Sequence, residues 1–249
     1  MIRDNDEMTG QREISPVGTP KSPDKDKDDR VQKPNDPTQG TKAQVIGFYS
    51  EGKMKDSDAL PWEGFGFIKI LRPRQRHYAA FDLVHVLTWA AEKLQQQYPS
   101  KDRLQIGDMS GIHGGPSGGH ASHQNGLDAD VAFLRLNQTM QDPVDTGGYR
   151  EKFVRGSSVT QNFDLARNWA YVKILAETGR VQRIFVNQVV KNALCDFAKT
   201  RGEFQSETEA LRRLRPYAGH EDHFHVRLTC PLNSPDCTPQ AEVPVGSGC

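Results

Sequence analysis

Five of the chain's eight histidines fall in two short segments, GHASHQNGLDAD (Gly119 to Asp130) and HEDHFH (His220 to His225). Imidazoles beside carboxylates are the ordinary ligand set of catalytic zinc, in which three protein donors leave a fourth position open for water. For segments so far apart to serve one ion, the fold must bring them together. Side chains on a strand alternate between faces. In the run from His223 to Leu228 this puts His223, His225 and Arg227 on one face, with Phe224, Val226 and Leu228 on the other. Asp128 and Asp130 likewise share a face, with Leu127, Ala129 and Val131 behind them, and His123 reaches the same place from the preceding loop. Two facing strands are therefore expected, apolar toward a core and ligand-bearing toward a cleft.

The two histidines of the H-x-H lie ~6–7 Å apart along a strand. One can hold a metal while the other stands a hydrogen bond, about 2.8 Å, from water, or both can ligate; the spacing admits either. Asp128 either orients a ligand imidazole or pairs with an arginine. An isolated H-x-H is more often a polar strand face. The three elements together, in a glycine-rich setting, favour a metal site. His85 lies in a helical pattern and reads as structural, while His77 and His113 are cleft residues at most.

Thirty-two basic residues balance thirty-two acidic ones, for a formal net charge of zero. The chain so lacks the basic signature of a nucleic-acid binder or of attraction to anionic membranes, and no apolar run is long enough to span a bilayer. Met1 to Gly10 has no apolar core, so it is not an intact secretory signal. Four cysteines, Cys195, Cys230, Cys237 and Cys249, form no C-x-x-C pair. Three of them sit among Pro, Ser, Gly and Asp, where no apolar core would bury a thiol. Two disulfides and an oxidising compartment are expected.

Residues 1–42 are rich in Asp, Lys, Pro and Gly and are expected to be a disordered tail or linker. Residues 43–249 form one expected domain. Strands are expected at 45–49, 66–71, 104–108, 127–134, 183–186 and 222–228. Helices are expected at 81–98, at 163–178 closed by Gly179, and from after Val186 to about Ala198. Ser206-Glu207-Thr208-Glu209 has the form of a capping box opening a short helix. Without regular βαβ alternation, the fold class is α+β, a mainly antiparallel central sheet flanked by helices.

At these residues the chain resembles the penicillin-insensitive murein endopeptidases. They lie within a larger group of zinc peptidases that includes the D-Ala-D-Ala dipeptidases and lysostaphin-like enzymes. The matching blocks are Ile106 to Met109, Gly119 to Asp130, Arg183 to Asn187 with Cys195, and His223 to Leu228 with Cys230-Pro231. The resemblance implies one Zn2+ per chain, bound by His123, Asp130 and His225, with His223 as general base. It places His120 and His220 along the site, where either, if protonated, could stabilise the developing oxyanion. It implies a periplasmic enzyme cutting the peptidoglycan peptide cross-bridge between D-alanine and meso-diaminopimelate. It also pairs Cys230 with Cys237 and Cys195 with Cys249. The chain lacks the family's early cysteine and longer C-terminal extension, so no third disulfide is expected. Its glycine loop, Ser110 to Gly118, has its own sequence. Two other readings of the site are a D,D-carboxypeptidase or D-Ala-D-Ala dipeptidase, and a non-catalytic zinc-containing module that binds the wall.

Overall fold

Strands form where β-branched and aromatic residues cluster, and helices where apolar residues recur every three to four positions. In the computed structural model, which describes residues 42–249, the strands are β1 (Gln44–Phe48), β2 (Glu51–Lys55), β3 (Asp58–Ala59), β4 (Glu63–Gly64), β5 (Phe67–Lys69) and β6 (Tyr78–Ala79) before the first helix, α1 (Phe81–Gln97). Next come β7 (Leu104–Ile106), β8 (Asp128–Ala132), β9 (Val154–Arg155), β10 (Ser158–Val159) and α2 (Leu165–Glu177). The chain continues through β11 (Val181–Val186), α3 (Gln188–Thr200), α4 (Thr208–Arg213), β12 (Leu214–Pro216) and β13 (His223–Leu228). Residues 1–41 of the expected tail lie outside the described residues.

Seven strands form one sheet in the order β12-β11-β13-β8-β7-β5-β4. Four junctions are antiparallel, and β12–β11 and β7–β5 are parallel. The sheet is thus mixed, with an antiparallel centre. Parallel neighbours need a crossover of a dozen or more residues, and helices supply it here: α1 links β5 to β7, and α3 with α4 links β11 to β12. The expected α+β class holds, with a crossover unit on each flank that the sequence pattern did not reveal.

One face of the central strands is core. Phe224, Val226 and Leu228 of β13 and Ala129 and Val131 of β8 are all buried. Tyr171 of α2 packs on Phe224, ring centroids 5.5 Å apart, which places α2 on that face. The buried stripe of α1 is Leu83, Val86, Leu87, Ala90, Ala91 and Leu94. This helix stops at Tyr98 because the residue before a proline is pushed out of the α region. Asp164 caps α2 through Oδ1 to Arg167 N at 3.0 Å, and Asn187 caps α3 through Oδ1 to Val189 N at 2.8 Å. Gly179 closes α2 at φ +65°.

The capping box does not form. Ser206 Oγ donates to Glu203 O, and the Glu209 carboxylate takes Arg212 and Arg213 instead of reaching back to the backbone. Two guanidiniums one turn along outcompete a neutral N–H for that carboxylate. Both disulfides are present, Cys195–Cys249 and Cys230–Cys237, as the resemblance implies. Among the described residues no helix is long and apolar enough to cross a membrane.

Candidate metal centre and cleft

The register of β13 on β8 sets His225 opposite Asp130 and Arg227 opposite Asp128. Facing side chains on adjacent strands lie ~4.5–5.5 Å apart at Cβ, so each pair is in contact. Asp128 is fully buried; its Oδ1 accepts from Arg227 Nε at 2.6 Å and lies 2.6 Å from His225 Nε2. Its Oδ2 accepts the backbone N–H of His123 at 3.2 Å. Asp128 therefore both pairs with an arginine and bonds an imidazole, the two alternatives left open above. With Nε2 engaged, His225 turns Nδ1 toward Asp130, 3.3 Å from Oδ1.

His123 enters from the loop with a left-handed backbone, φ +65°, and is fully buried. Such a conformation in a bulky residue costs about 1–3 kcal/mol and persists only where the surroundings enforce it. Asp128 holds its N–H, and Ser110 Oγ donates to its carbonyl at 2.5 Å. The result aims Nε2 at Asp130 Oδ1, 3.3 Å away. The alignment is not that of a hydrogen bond, and both His123 ring nitrogens are buried without a hydrogen-bond partner.

Two more imidazoles complete the ring around Asp130. His223 Nε2 stands 3.8 Å from Oδ1, and its Nδ1 lies 2.5 Å from Asp222 Oδ1. His120 Nδ1 is 3.7 Å from Oδ2, and its Nε2 lies 3.0 Å from Asp108 Oδ2. Asp108, only 1% exposed, also takes Arg74 at 2.7 Å and Arg76 at 3.5 Å. His120, His123 and Asp130 offer ligand atoms all within 4.8 Å of one another. His220 sits beside this group, its ring centroid 5.0 Å from that of His223, with Nδ1 on Ala218 O at 3.1 Å.

The charges are strongly coupled. Burial opposes ionisation of Asp130, but His123 and His223 hold its carboxyl well below the usual carboxylate range. Burial also opposes a charge on His225, yet Asp128 overrides it and raises this imidazole to about 9. His123, by contrast, is lowered by its burial. Burial, reinforced by His223 and His225, brings His220 down to about 4.

His120, Asp130, His220, His223 and His225 line an open cavity of about 380 Å³ with Tyr49, Phe185 and Tyr217. Phe185 lies opposite His225 on β11, ring planes nearly perpendicular at 88°. Tyr49, Arg227 and Gln240 are shared with an adjoining cavity of about 180 Å³. All six sequence-expected site residues thus lie together. The other three histidines are elsewhere: His85 stacks on Phe81 within α1, His77 packs between Trp62 and Tyr78, and His113 is exposed in the glycine loop. Asp222 was legible as the carboxylate next to His223. Tyr49, Tyr149 and Tyr217 carry no motif that marks them as site residues, and Phe185, though within the Arg183 to Asn187 block, was not singled out.

A buried carboxylate among four imidazoles beside an open cleft is a donor set of the kind that metal-dependent hydrolases use. Residues 45–249 match the family model of the penicillin-insensitive murein endopeptidases, and the chain belongs to this family. An endopeptidase of that name from Haemophilus influenzae is 35% identical over 219 residues, covering 86% of this chain and 73% of its own length. Those of Klebsiella pneumoniae strain 342 and Salmonella paratyphi A are each 36% identical, over 217 and 231 residues. These two cover 84% and 88% of this chain, and 75% and 77% of their own. The protein is a peptidase of murein.

Proposed function

We propose that the chain is a zinc-dependent murein endopeptidase of the periplasm that hydrolyses the D-Ala–meso-diaminopimelate cross-link of peptidoglycan. One observation carries the metal reading: His123 Nε2 and His225 Nδ1 each stand 3.3 Å from the same Asp130 oxygen. Donors ~2.0–2.1 Å from a tetrahedral zinc are about 3.3–3.4 Å apart, so each of these two spacings suits a pair of ligands on one ion. The partnerless nitrogens of His123 and the carboxylate behind His225 support the same assignment. On this reading the ligands are His123, Asp130 and His225; His120 also offers a donor within 4.8 Å of those of His123 and Asp130.

A divalent zinc there would supply Lewis acidity toward a carbonyl oxygen and acidify water at neutral pH. The chain's own residues supply the rest. Asp222 engages Nδ1 of His223, which leaves the Nε2 lone pair facing the cleft. His223 accepts a proton from the attacking water through Nε2 and returns it to the leaving amine. Burial, with His223 and His225 beside it, brings His220 down to about 4, and its Nδ1 lies on the Ala218 carbonyl. His220 thus takes part as a neutral imidazole, and the protonated role falls to His120. Asp108, held by Arg74 and Arg76, fixes the Nε2 side of His120.

Digestion of purified sacculi tests this reading. Cross-linked muropeptide dimers should fall to monomers, a strong chelator should stop the reaction, and zinc should restore it. Release of free D-alanine would instead identify a carboxypeptidase or dipeptidase. Binding without cleavage by the zinc-loaded protein would leave only a wall-binding module, and full cleavage under chelation would remove the metal.

A further inference from the structure

Tyr149 belongs to none of the blocks that carry the family resemblance, yet its ring lies flat on His223. The centroids are 4.4 Å apart and the planes 16° from parallel. The segment that delivers it is fastened along its length. Arg135 Nε donates to Glu151 Oε2 at 2.9 Å, Gln141 Nε2 donates to Gly148 O at 3.1 Å, and Phe153 N donates to Glu221 O at 2.6 Å. The last bond ties the segment to the residue before Asp222.

The hydroxyl end of the ring is accommodated by a missing side chain. A Cβ built on Gly107, just past β7, would fall inside the van der Waals envelope of Tyr149 Oη and 2.9 Å from Cζ. The hydroxyl itself is buried with no hydrogen-bond partner. The absence of a Cβ at Gly107 therefore makes the room that the hydroxyl end of the ring occupies.

Asp222 holds one atom of the His223 imidazole, Nδ1, and leaves the ring free to swing about that bond. A flat surface against the ring removes this second freedom. Resting on the reading of His223 as proton acceptor, we propose that Tyr149 is its positioning residue. Tyr149 keeps Nε2 directed at the Asp130 carboxylate, 3.8 Å away, and Gly107 is the space that admits it.

The test compares Tyr149→Ala, Tyr149→Phe, Gly107→Ala and the double variant Gly107→Ala/Tyr149→Phe with wild type on a purified cross-linked muropeptide dimer. Zinc content and melting temperature are measured alongside. A misplaced catalytic group costs about 10²-fold, so Tyr149→Ala and Gly107→Ala should each lose about that much in kcat. KM should stay within about threefold, because the loss falls on the transition state. Deleting the phenol oxygen relieves the closest contact with a Cβ at position 107. The double variant should therefore be more active than Gly107→Ala, though below Tyr149→Phe alone because the 2.9 Å approach to Cζ remains. Such rescue cannot come from general destabilisation, and it decides the case even if Tyr149→Ala fails to fold.

If Tyr149→Ala keeps wild-type kcat while His223→Ala is inactive, the positioning role is wrong and the site reading stands. Full activity of His223→Ala overturns both. A kcat loss that merely tracks the unfolded fraction, with no recovery in the double variant, also overturns the positioning role.

Discussion

Replacing Asp128 by Asn should do more damage than loss of one charge. The Oδ1 atom meets two donors, His225 Nε2 and Arg227 Nε, at 2.6 Å each, and Oδ2 meets a third, the His123 N–H, at 3.2 Å. An asparagine has one acceptor oxygen. In one orientation its NH2 faces the His123 N–H; in the other it faces both side-chain donors. Either way a buried donor is turned on a donor, and Arg227 keeps a charge it can no longer pair at 3% exposure. Breaking one side of a buried ion pair costs about 3–5 kcal/mol. Hydrogen bonds to charged groups are worth about 1.5–3 kcal/mol each, so the structure places the loss of stability at about 4 kcal/mol. His225 would lose the partner that turns Nδ1 to Asp130, and removing such a carboxylate lowers metal affinity by about 10–100-fold. Urea unfolding of the metal-free variant reads the first number, and competition with a chromophoric zinc chelator reads the second. Zinc affinity within about twofold of wild type would refute the claim that Asp128 orients a ligand.

Three further outcomes follow from the same geometry. His225→Ala should lose both zinc and activity, whereas His223→Ala should keep stoichiometric zinc and lose about 10²–10⁴-fold in kcat, read by elemental analysis beside the dimer-cleavage assay. Lys191 is 1% exposed, and burial, with Arg215 nearby, lowers its ammonium to about 8, though Nζ donates to Leu214 O at 2.8 Å. Its folded value lies below the unfolded one, so the unfolded chain binds more protons between about pH 8 and 10.5; stability from this group should rise over that window by up to ~3 kcal/mol and the rise should vanish in Lys191→Met, as followed by urea midpoints. Removing Cys195–Cys249 as a Ser pair should cost about 4 kcal/mol and removing Cys230–Cys237 about 2.5 kcal/mol, since the first spans 54 residues and the second 7; an equal loss in urea unfolding would contradict the chain-entropy origin.

The parts of this site that were legible in the sequence are those set by local geometry. Two-residue periodicity alone puts His223, His225 and Arg227 on one face, and Asp128 and Asp130 on another, before any contact is known. Register was not legible. That His225 meets Asp130 and Arg227 meets Asp128 depends on how two strands slide past each other, and their own alternation permits every even shift. The parallel flanks were missed because strand direction is set by tertiary pairing. Strands β5 and β7 fall within expected strands whose patterns do not say which way a neighbour runs. Strand β12, three residues ending in Pro216, is too short to show a pattern. The capping box failed because its glutamate had closer cations in Arg212 and Arg213. Tyr149 escaped notice for a different reason. Its neighbours Gly147, Gly148 and Arg150 carry no periodicity, and the glycine that makes room for it lies on the far side of β8 in sequence.

The claim on which the rest depends is that one ion sits between β8, β13 and the loop before β8. Crystals of the zinc-loaded protein, measured on both sides of the zinc absorption edge, test it directly. The account requires a single anomalous peak about 2.0–2.1 Å from His123 Nε2, His225 Nδ1 and an oxygen of Asp130. A peak bound elsewhere, or none at that point in protein that still cleaves the cross-link, would contradict it.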